Sequence, residues 1–279
     1  MEIFPLASES WPGVRSSSVL AKTPEVSIVI DPGCALGPRR YGLPPHRLEY
    51  DALDLAWKTI SAALTEADVV VITHYHYDHL NPKHPELLQG KTLLVKDPQN
   101  TINLNQRRRA EEFLKGLEFS PADEKNFRFG ETELIFSEPL PHGQEGAKTG
   151  WVISLTIRRG QDSFVYASDV GGIQTQVQFA FIADNRPQVL YIDGPLTYMG
   201  VGDLNVSVGY LSRLVKELKP EVIILEHHLL RDLHWREKMA AVLELGEACG
   251  VRITTAAGFV GRPETFLEAK RKELYGETL

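Results

Sequence analysis

Cysteine is nearly absent from this chain: its 279 residues hold two, Cys34 and Cys249. Two thiols cannot make a disulfide framework, which points to a reducing compartment, and each reads as a small core residue rather than a ligand. Long apolar runs are missing as well. None approaches the roughly 18 consecutive residues of a membrane span, and Glu2, Glu9 and Arg15 interrupt any signal-like core between Met1 and Pro24. A cytoplasmic chain with no membrane partner is the expectation. Positive charge is in deficit: a formal net charge of -7 argues against the whole-domain basic footprint of a general nucleic-acid binder, while leaving room for a local basic patch. Linkers, repeats and low-complexity stretches are lacking, so residues 1–279 are expected to form one domain. No nucleophile motif surrounds Ser10, Ser16, Ser17 or Ser18, and Gly171-Gly172 alone is no phosphate loop.

What the chain does have is histidine in one place. Thr73-His74-Tyr75-His76-Tyr77-Asp78-His79 packs three of the nine histidines and a carboxylate directly after Val69-Val70-Val71-Ile72. In an extended segment side chains alternate, which puts His74, His76 and Asp78 on one side, while a loop bend brings His79 round to a second ion. Neutral imidazole and carboxylate are ligands for zinc and similar transition metals. A merely histidine-rich surface loop is the weaker reading, because ligand-type residues at this spacing are a strong signal.

Short strands are expected over Glu2–Leu6, Val14–Ala21 and Val26–Ile30, the last stopped by Asp31-Pro32-Gly33. Gly37 to His46 is too rich in glycine and proline for regular structure and carries Arg39, Arg40 and Tyr41, the makings of a binding loop. Leu53, Trp57, Ile60 and Leu64 share one helical face. Beyond the histidine loop come a helical turn at Pro85–Leu88, a strand at Thr92–Lys96 and a helix over Gln106–Leu117. Phe127–Phe129, Glu131–Phe136, Trp151–Ile157 and Ser163–Ala167 then read as antiparallel strands. Strands Val189–Ile192, Glu221–Leu225 and Val251–Thr255 alternate with a helix capped by Asn205 and bearing Leu211, Leu214, Val215 and Leu218, and with another marked by Trp235, Met239, Val242 and Leu243. Pro263 opens a last helix. This order suits an α/β fold with two sheets face to face and helices outside.

One loop cannot close a two-metal centre, and further ligand-type residues stand at other strand ends: His142 in Pro139-Leu140-Pro141-His142-Gly143, Asp169 in Ala167-Ser168-Asp169-Val170-Gly171-Gly172, and His227-His228 after Val222 to Leu225 and Glu226. With His74-x-His76-x-Asp78-His79 this ordered set resembles the metal-ligand series of the metallo-β-lactamase superfamily, from about Asp31 to His228. Leu6-Ala7-Ser8-Glu9-Ser10 and Gly37-Pro38-Arg39-Arg40-Tyr41-Gly42-Leu43-Pro44-Pro45-His46 are more particularly similar to an archaeal family within it. The resemblance implies an αββα four-layer sandwich of two mixed sheets flanked by helices, a site at one edge, two divalent metals and hydrolysis. It places His74, His76 and His142 on the first metal, Asp78, His79 and His227 on the second, and Asp169 between them. Asp31 matches an early aspartate that steadies a ligating imidazole through its other N–H; a turn residue before Pro-Gly is an equal alternative. Where the superfamily commonly shows one late histidine, this chain has two. His227 is the favoured ligand, and Asp78 and His228 are the candidate catalytic residues, His228 as proton donor or phosphate contact.

Two metals roughly 3.5–4 Å apart can hold a bridging hydroxide and polarise a carbonyl or phosphoryl oxygen, so hydroxide attack is the expected mechanism. Zinc is the expected ion, with iron and manganese also compatible. Relatives with iron-dependent oxygen chemistry typically carry glutamate where this chain has His76, which argues against redox chemistry. The expected substrate is a phosphodiester, in a small molecule, a nucleotide or RNA. A lactone, ester or thioester is the rival, and a non-catalytic metal-binding protein comes third. Against RNA processing, 279 residues leave no room for a full inserted substrate domain. Arg39, Arg40 and Arg107-Arg108-Arg109 are candidate phosphate contacts, although beside Glu111 and Glu112 the triple arginine reads first as a solvated face. His46 and His234 have no partner visible in sequence, and Asp193 and Asp203 read as loop residues.

Overall fold

The parallel strands of this chain, such as Val69–Ile72, are apolar at consecutive positions rather than at every second one, the mark of strands covered on both faces. In the computed structural model, which describes residues 1–199 and 203–276, Val69–Ile72 is buried at every position. The first sheet runs β1 (Glu2–Ser8), β2 (Ser17–Lys22), β3 (Ser27–Ile30), β4 (Val69–Ile72), β5 (Thr92–Val95) and β6 (Ser120–Pro121) in that spatial order, antiparallel as far as β3 and parallel beyond it. The chain then forms β7 (Asn126–Phe129), β8 (Thr132–Phe136), a short ribbon of β9 (Leu140–Pro141) with β10 (Trp151–Val152), and β11 (Leu155–Arg159), β12 (Asp162–Ala167), β13 (Val189–Asp193), β14 (Val222–Glu226) and β15 (Arg252–Thr254). Apart from the ribbon these make a second sheet ordered β15-β14-β13-β12-β11-β8-β7, parallel from β15 to β12 and antiparallel from there to β7.

Alternation along each strand sorts the apolar side chains into three layers. Val69 and Val71 of β4, Ile28 and Ile30 of β3, Leu155 and Ile157 of β11 and Phe164 of β12 fill the space between the sheets. Val70 and Ile72 turn the other way, onto Ala56, Ile60 and Leu64 of α1 (Arg47–Glu66) and Ala110 and Phe113 of α2 (Leu104–Phe113). On the far side Val165, Leu190 and Ile223 pack against Phe179 and Ile182 of α3 (Gln176–Asn185), Leu211 of α4 (Leu204–Arg213) and Val242, which follows the short α5 (Trp235–Lys238) on α6 (Ala240–Cys249). Burying one such aliphatic side chain contributes about 1.5–3 kcal/mol before conformational entropy is counted. The result is the expected αββα sandwich.

Four local expectations are corrected. Trp151–Ile157 is not one strand: its first two residues leave the sheet to pair with Leu140–Pro141. Asp203, not Asn205, caps α4, its carboxylate accepting from Asn205 N at 2.8 Å. The Trp235–Leu243 helix breaks at Met239, whose φ of -101° and ψ of 8° are not helical. Pro263 opens no helix, because Phe266 adopts a left-handed φ of 48°; short helices lie instead on either side, α7 (Ala256–Phe259) and α8 (Arg271–Leu274). Arg271 is fully buried against Glu49 and donates to the Gly37 and Leu43 carbonyls at 2.9 and 3.1 Å, so the C-terminal segment pins the Gly37–His46 loop. His46 caps α1 in a capping box with Glu49.

Candidate metal centre

Parallel strands deliver their following loops to one edge, and most of the candidate residues come from such ends. Asp31 follows β3, Thr73 to His79 follow β4, Asp169 comes two residues after β12, and His227 and His228 come directly after β14. His142 follows β9, held where its N–H donates to the Gly150 carbonyl at 2.9 Å. Asp31, Asp169 and His227 carry left-handed φ values of 46°, 60° and 60°. Such a conformation costs on the order of 1–3 kcal/mol in a non-glycine residue and persists only where the surroundings over-determine it.

The side chains converge as four groups. His74, His76, His142 and Asp169 form one and Asp78, His79 and His227 another, linked by Asp31, His74 and His79 and by Asp169, His227 and His228, and in each the ligand atoms lie within 4.8 Å of one another. Asp169 lies between them, 2.9 Å from His79 Nε2, 3.1 Å from His142 Nε2 and 3.5 Å from His227 Nε2. His79 Nε2 and His142 Nε2 are nonetheless buried without any hydrogen-bond partner. Ring nitrogens that face a carboxylate closely, off the line of a hydrogen bond, have the geometry of atoms aimed at a shared cation. The residues therefore fit a metal pair by donor chemistry as well as by position.

The outer face of each ring is fixed. Asp31 is fully buried and accepts from Thr73 N at 2.8 Å and Thr73 Oγ1 at 2.6 Å, with His79 Nδ1 at 2.8 Å. Thr73 Oγ1 then lies 3.1 Å from His74 Nδ1, so one carboxylate orients two imidazoles. Glu9 stands 3.1 Å from His227 Nδ1 and takes two bonds from Arg231, at 2.9 and 2.7 Å. Asp193 lies 3.0 Å from His228 Nδ1 and accepts from the His228 backbone N–H. His227 thus turns Nε2 inward, 3.7 Å from Asp78, whereas the Nδ1 of His228 is committed to Asp193.

Protonation follows these contacts. Burial lowers the pKa of His76 to about 3, and of His74 well below its usual value, with neighbouring imidazoles adding to the effect. His79 runs the other way, up to about 10: burial opposes the shift, but Asp169 and Asp31 outweigh it. His227 is likewise raised, against burial, by Glu9 and Asp169. Glu9 falls to about 2 because His227 and Arg231 overcome its burial. Both upward shifts mark ground that the surrounding carboxylates make favourable to positive charge.

The family model described as "Beta-lactamase superfamily domain" matches residues 27–228, a span containing every candidate ligand. The chain belongs to the metallo-β-lactamase superfamily. Along nearly its whole length it also belongs to the UPF0282 family: it is 43% identical to a UPF0282 protein of Korarchaeum cryptofilum and 44% identical to one of Metallosphaera sedula, covering 99% of this chain in both cases and 94% and 93% of those proteins. A solved metal-dependent hydrolase of the β-lactamase superfamily superposes with a TM-score of 0.54 at 15% identity, over 91% of this chain and 94% of that one, and so shares the fold.

In this member of the superfamily, sequence reasoning passed over three residues at the centre. Glu9 reads in the sequence as an acidic interruption near the amino-terminus and as part of Leu6-Ala7-Ser8-Glu9-Ser10, Arg231 carries no local signal, and Asp193 reads as a loop residue. Glu9 and Asp193 each follow or end a strand, and a carboxylate in that position is the signal that could have found them. Of the triple arginine, Arg107 donates to the Gln99 carbonyl, while Arg109 stacks on Tyr77 at 4.7 Å and donates to the Tyr75 carbonyl, against the loop that carries the histidines. His46 serves as a helix cap and His234 is exposed beside Glu237. Cys34 is buried enough to push its thiol up to about 12, so it offers no thiolate. Beside the centre opens a cleft of about 750 Å³, lined by His142, His228 and Arg231 together with Arg39, Arg40 and Tyr198. None of the described helices is long and apolar enough to cross a membrane.

Proposed function

We propose that the chain is a hydrolase using two divalent metal ions, zinc first, on a phosphodiester of small-molecule or nucleotide size. His74, His76 and His142 would hold one ion and Asp78, His79 and His227 the other, with Asp169 shared. The observation that carries this reading is the pair of buried, unpartnered Nε2 atoms of His79 and His142 converging on Asp169. When bound, the ions supply Lewis acidity and a water acidic near neutral pH. The protein's own part is to move the proton. Burial lowers the pKa of His228 against the pull of Asp193, so the ring is neutral, donates from Nδ1 to Asp193 and leaves Nε2 as an acceptor. Nε2 takes the proton released as water adds to phosphorus and returns it to the leaving oxygen.

The phosphodiester is favoured by charge. In a chain of net charge -7, Arg39, Arg40 and Lys148 line this cleft with no carboxylate partner among the described residues, beside Arg15 and Arg231, which are paired to Glu268 and Glu9. An anionic substrate suits that field better than a neutral one. The second reading, a lactone, ester or thioester, draws on Pro38, Ala147, Leu196 and Met199 in the same wall. Metal analysis joined to a hydrolysis screen with bis-(p-nitrophenyl) phosphate, a thioester and a lactone separates the two. We expect two ions per chain and the phosphodiester cleaved fastest, with Asp169→Ala losing bound metal and at least about 10³-fold in rate. Preferential lactone or thioester cleavage overturns the phosphodiester, and full activity of Asp169→Ala with both ions retained overturns the shared ligand.

A further inference from the structure

The cations of the cleft fall into two kinds. Arg15 is bonded to both oxygens of Glu268 at 2.7 Å, and Arg231 gives two bonds to a single oxygen of Glu9, Oε1, so each is neutralised by a buried carboxylate. Arg39, Arg40 and Lys148 have no carboxylate within salt-bridge distance among the described residues, although the chain holds 37 acidic side chains to 30 Lys and Arg. Arg40 is also the one whose position is fixed. Its guanidinium lies over the Tyr41 ring at 4.6 Å and the Tyr198 ring at 4.2 Å, and Nη2 donates to the Arg231 carbonyl at 2.7 Å. Its Nη1 makes no hydrogen bond among the described residues. A guanidinium held flat in this way has surrendered its rotamer entropy in advance and keeps a free donor edge.

Orientation is imposed from further back. The loop bearing Arg39 and Arg40 is tied through Gly37 and Leu43 to the buried Arg271–Glu49 pair, and Arg40 is tied directly to the turn that carries His228 and Arg231. Arg40 therefore stands at a set place in the cleft, beside the turn that carries His228 and Arg231. Pro38, Leu196 and Met199 give the same wall an apolar surface. The cleft, at about 750 Å³, is within the usual size for a single small ligand.

We propose that Arg40, with Arg39 and Lys148, forms a second anion subsite, so that the substrate carries an anionic group besides the phosphodiester that is cut, joined to it by a body with an apolar face. This rests on the hydrolase reading above but is tested by binding alone. Calorimetry on the zinc-loaded protein compares thymidine 3′,5′-bisphosphate with thymidine 5′-phosphate, which differ by one phosphate. The bisphosphate is expected to bind about tenfold more tightly, the usual worth of a charge-assisted bond. Arg40→Gln should remove that preference with zinc content unchanged; Arg40→Lys, which keeps the charge without the planar fork, should restore part of it. Arg39→Ala, on an exposed side chain that leaves the stack intact, gives a check free of folding effects and should reduce the preference. Equal binding of the two ligands by the wild type, or an undiminished preference in both Arg40→Gln and Arg39→Ala, overturns the subsite. A protein that prefers the bisphosphate yet cuts no phosphodiester keeps the subsite and loses the hydrolase reading; one that cuts phosphodiesters without the preference does the reverse.

Discussion

The two walls of the cleft are built on opposite principles. On the metal side every orienting carboxylate is buried, and Asp31 alone has four polar partners: Thr73 through N and Oγ1, His79 Nδ1, and Tyr166 Oη at 3.0 Å. On the other side the loop from Gly37 to His46 is held at its back by Arg271, while Arg39 and Tyr41 remain exposed and Arg39 has no acidic partner. A reaction tolerates little error in the placing of its reactive groups, so that wall is over-determined. Recognition of a substrate body tolerates more, and loops suffice for it.

Separating the two late histidines sharpens this contrast most. His227→Ala should lose one ion per chain and reduce activity by about 10³-fold or more. His228→Ala should keep both ions and lose on the order of 10²-fold in rate, the usual range for a positioned proton carrier. Metal content by mass spectrometry decides, and loss confined to the His228 variant would reverse the assignment. A smaller effect is expected behind the ligands: Asp31→Asn should weaken metal affinity about 10- to 100-fold, because His79 and, through Thr73, His74 lose their orienting charge. Titration with a competing chelator measures it, and unchanged affinity would mean the metal wall is less interlocked than its hydrogen bonds imply.

The smallest effect concerns the Arg15–Glu268 pair beside Gly37. Burial pushes the Glu268 carboxyl up, but its paired bonds to Arg15 outweigh that and hold it below its usual 4.5. A depressed carboxyl stabilises the fold at pH above the unfolded value, and the contribution disappears as pH falls through the folded value. Glu268→Gln should therefore melt about 2 °C or more below wild type at pH 7, and the gap should close below pH 4.5. A gap that stays constant with pH would show that the side chain matters there for shape rather than charge.

Much of this was legible in the sequence, for a physical reason. His74, His76, Asp78 and His79 sit in one loop, and His142, Asp169 and His227 each stand at the end of an apolar run, so local pattern alone picks out the residues that the fold assembles. The four-layer order was legible in the succession of strands and helices, and in the resemblance that the ligand series carries. What stayed hidden depends on pairing across the chain. Glu9 reaches His227 over 218 residues and Arg231 over 222, and neither contact leaves a local trace. Asp193 lies 35 residues from His228. The helix expected at Pro263 does not form, because its start signal is overridden where Phe266 turns left-handed.

Tyr166 belongs to the second sheet, yet its hydroxyl lies 2.8 Å from the Ser17 carbonyl and 3.0 Å from Asp31 in the first, and Ile153 N–H reaches the Thr73 carbonyl across the same seam at 3.1 Å. The ligand set is thus divided between two halves that must be in register before it exists. A cation bound there acts as a rivet: it holds the docked sandwich against any slippage of one sheet over the other, and its free energy of binding is added to the stability of the seam. Stripping the metal should therefore loosen the whole molecule along that plane rather than only empty a pocket at its rim.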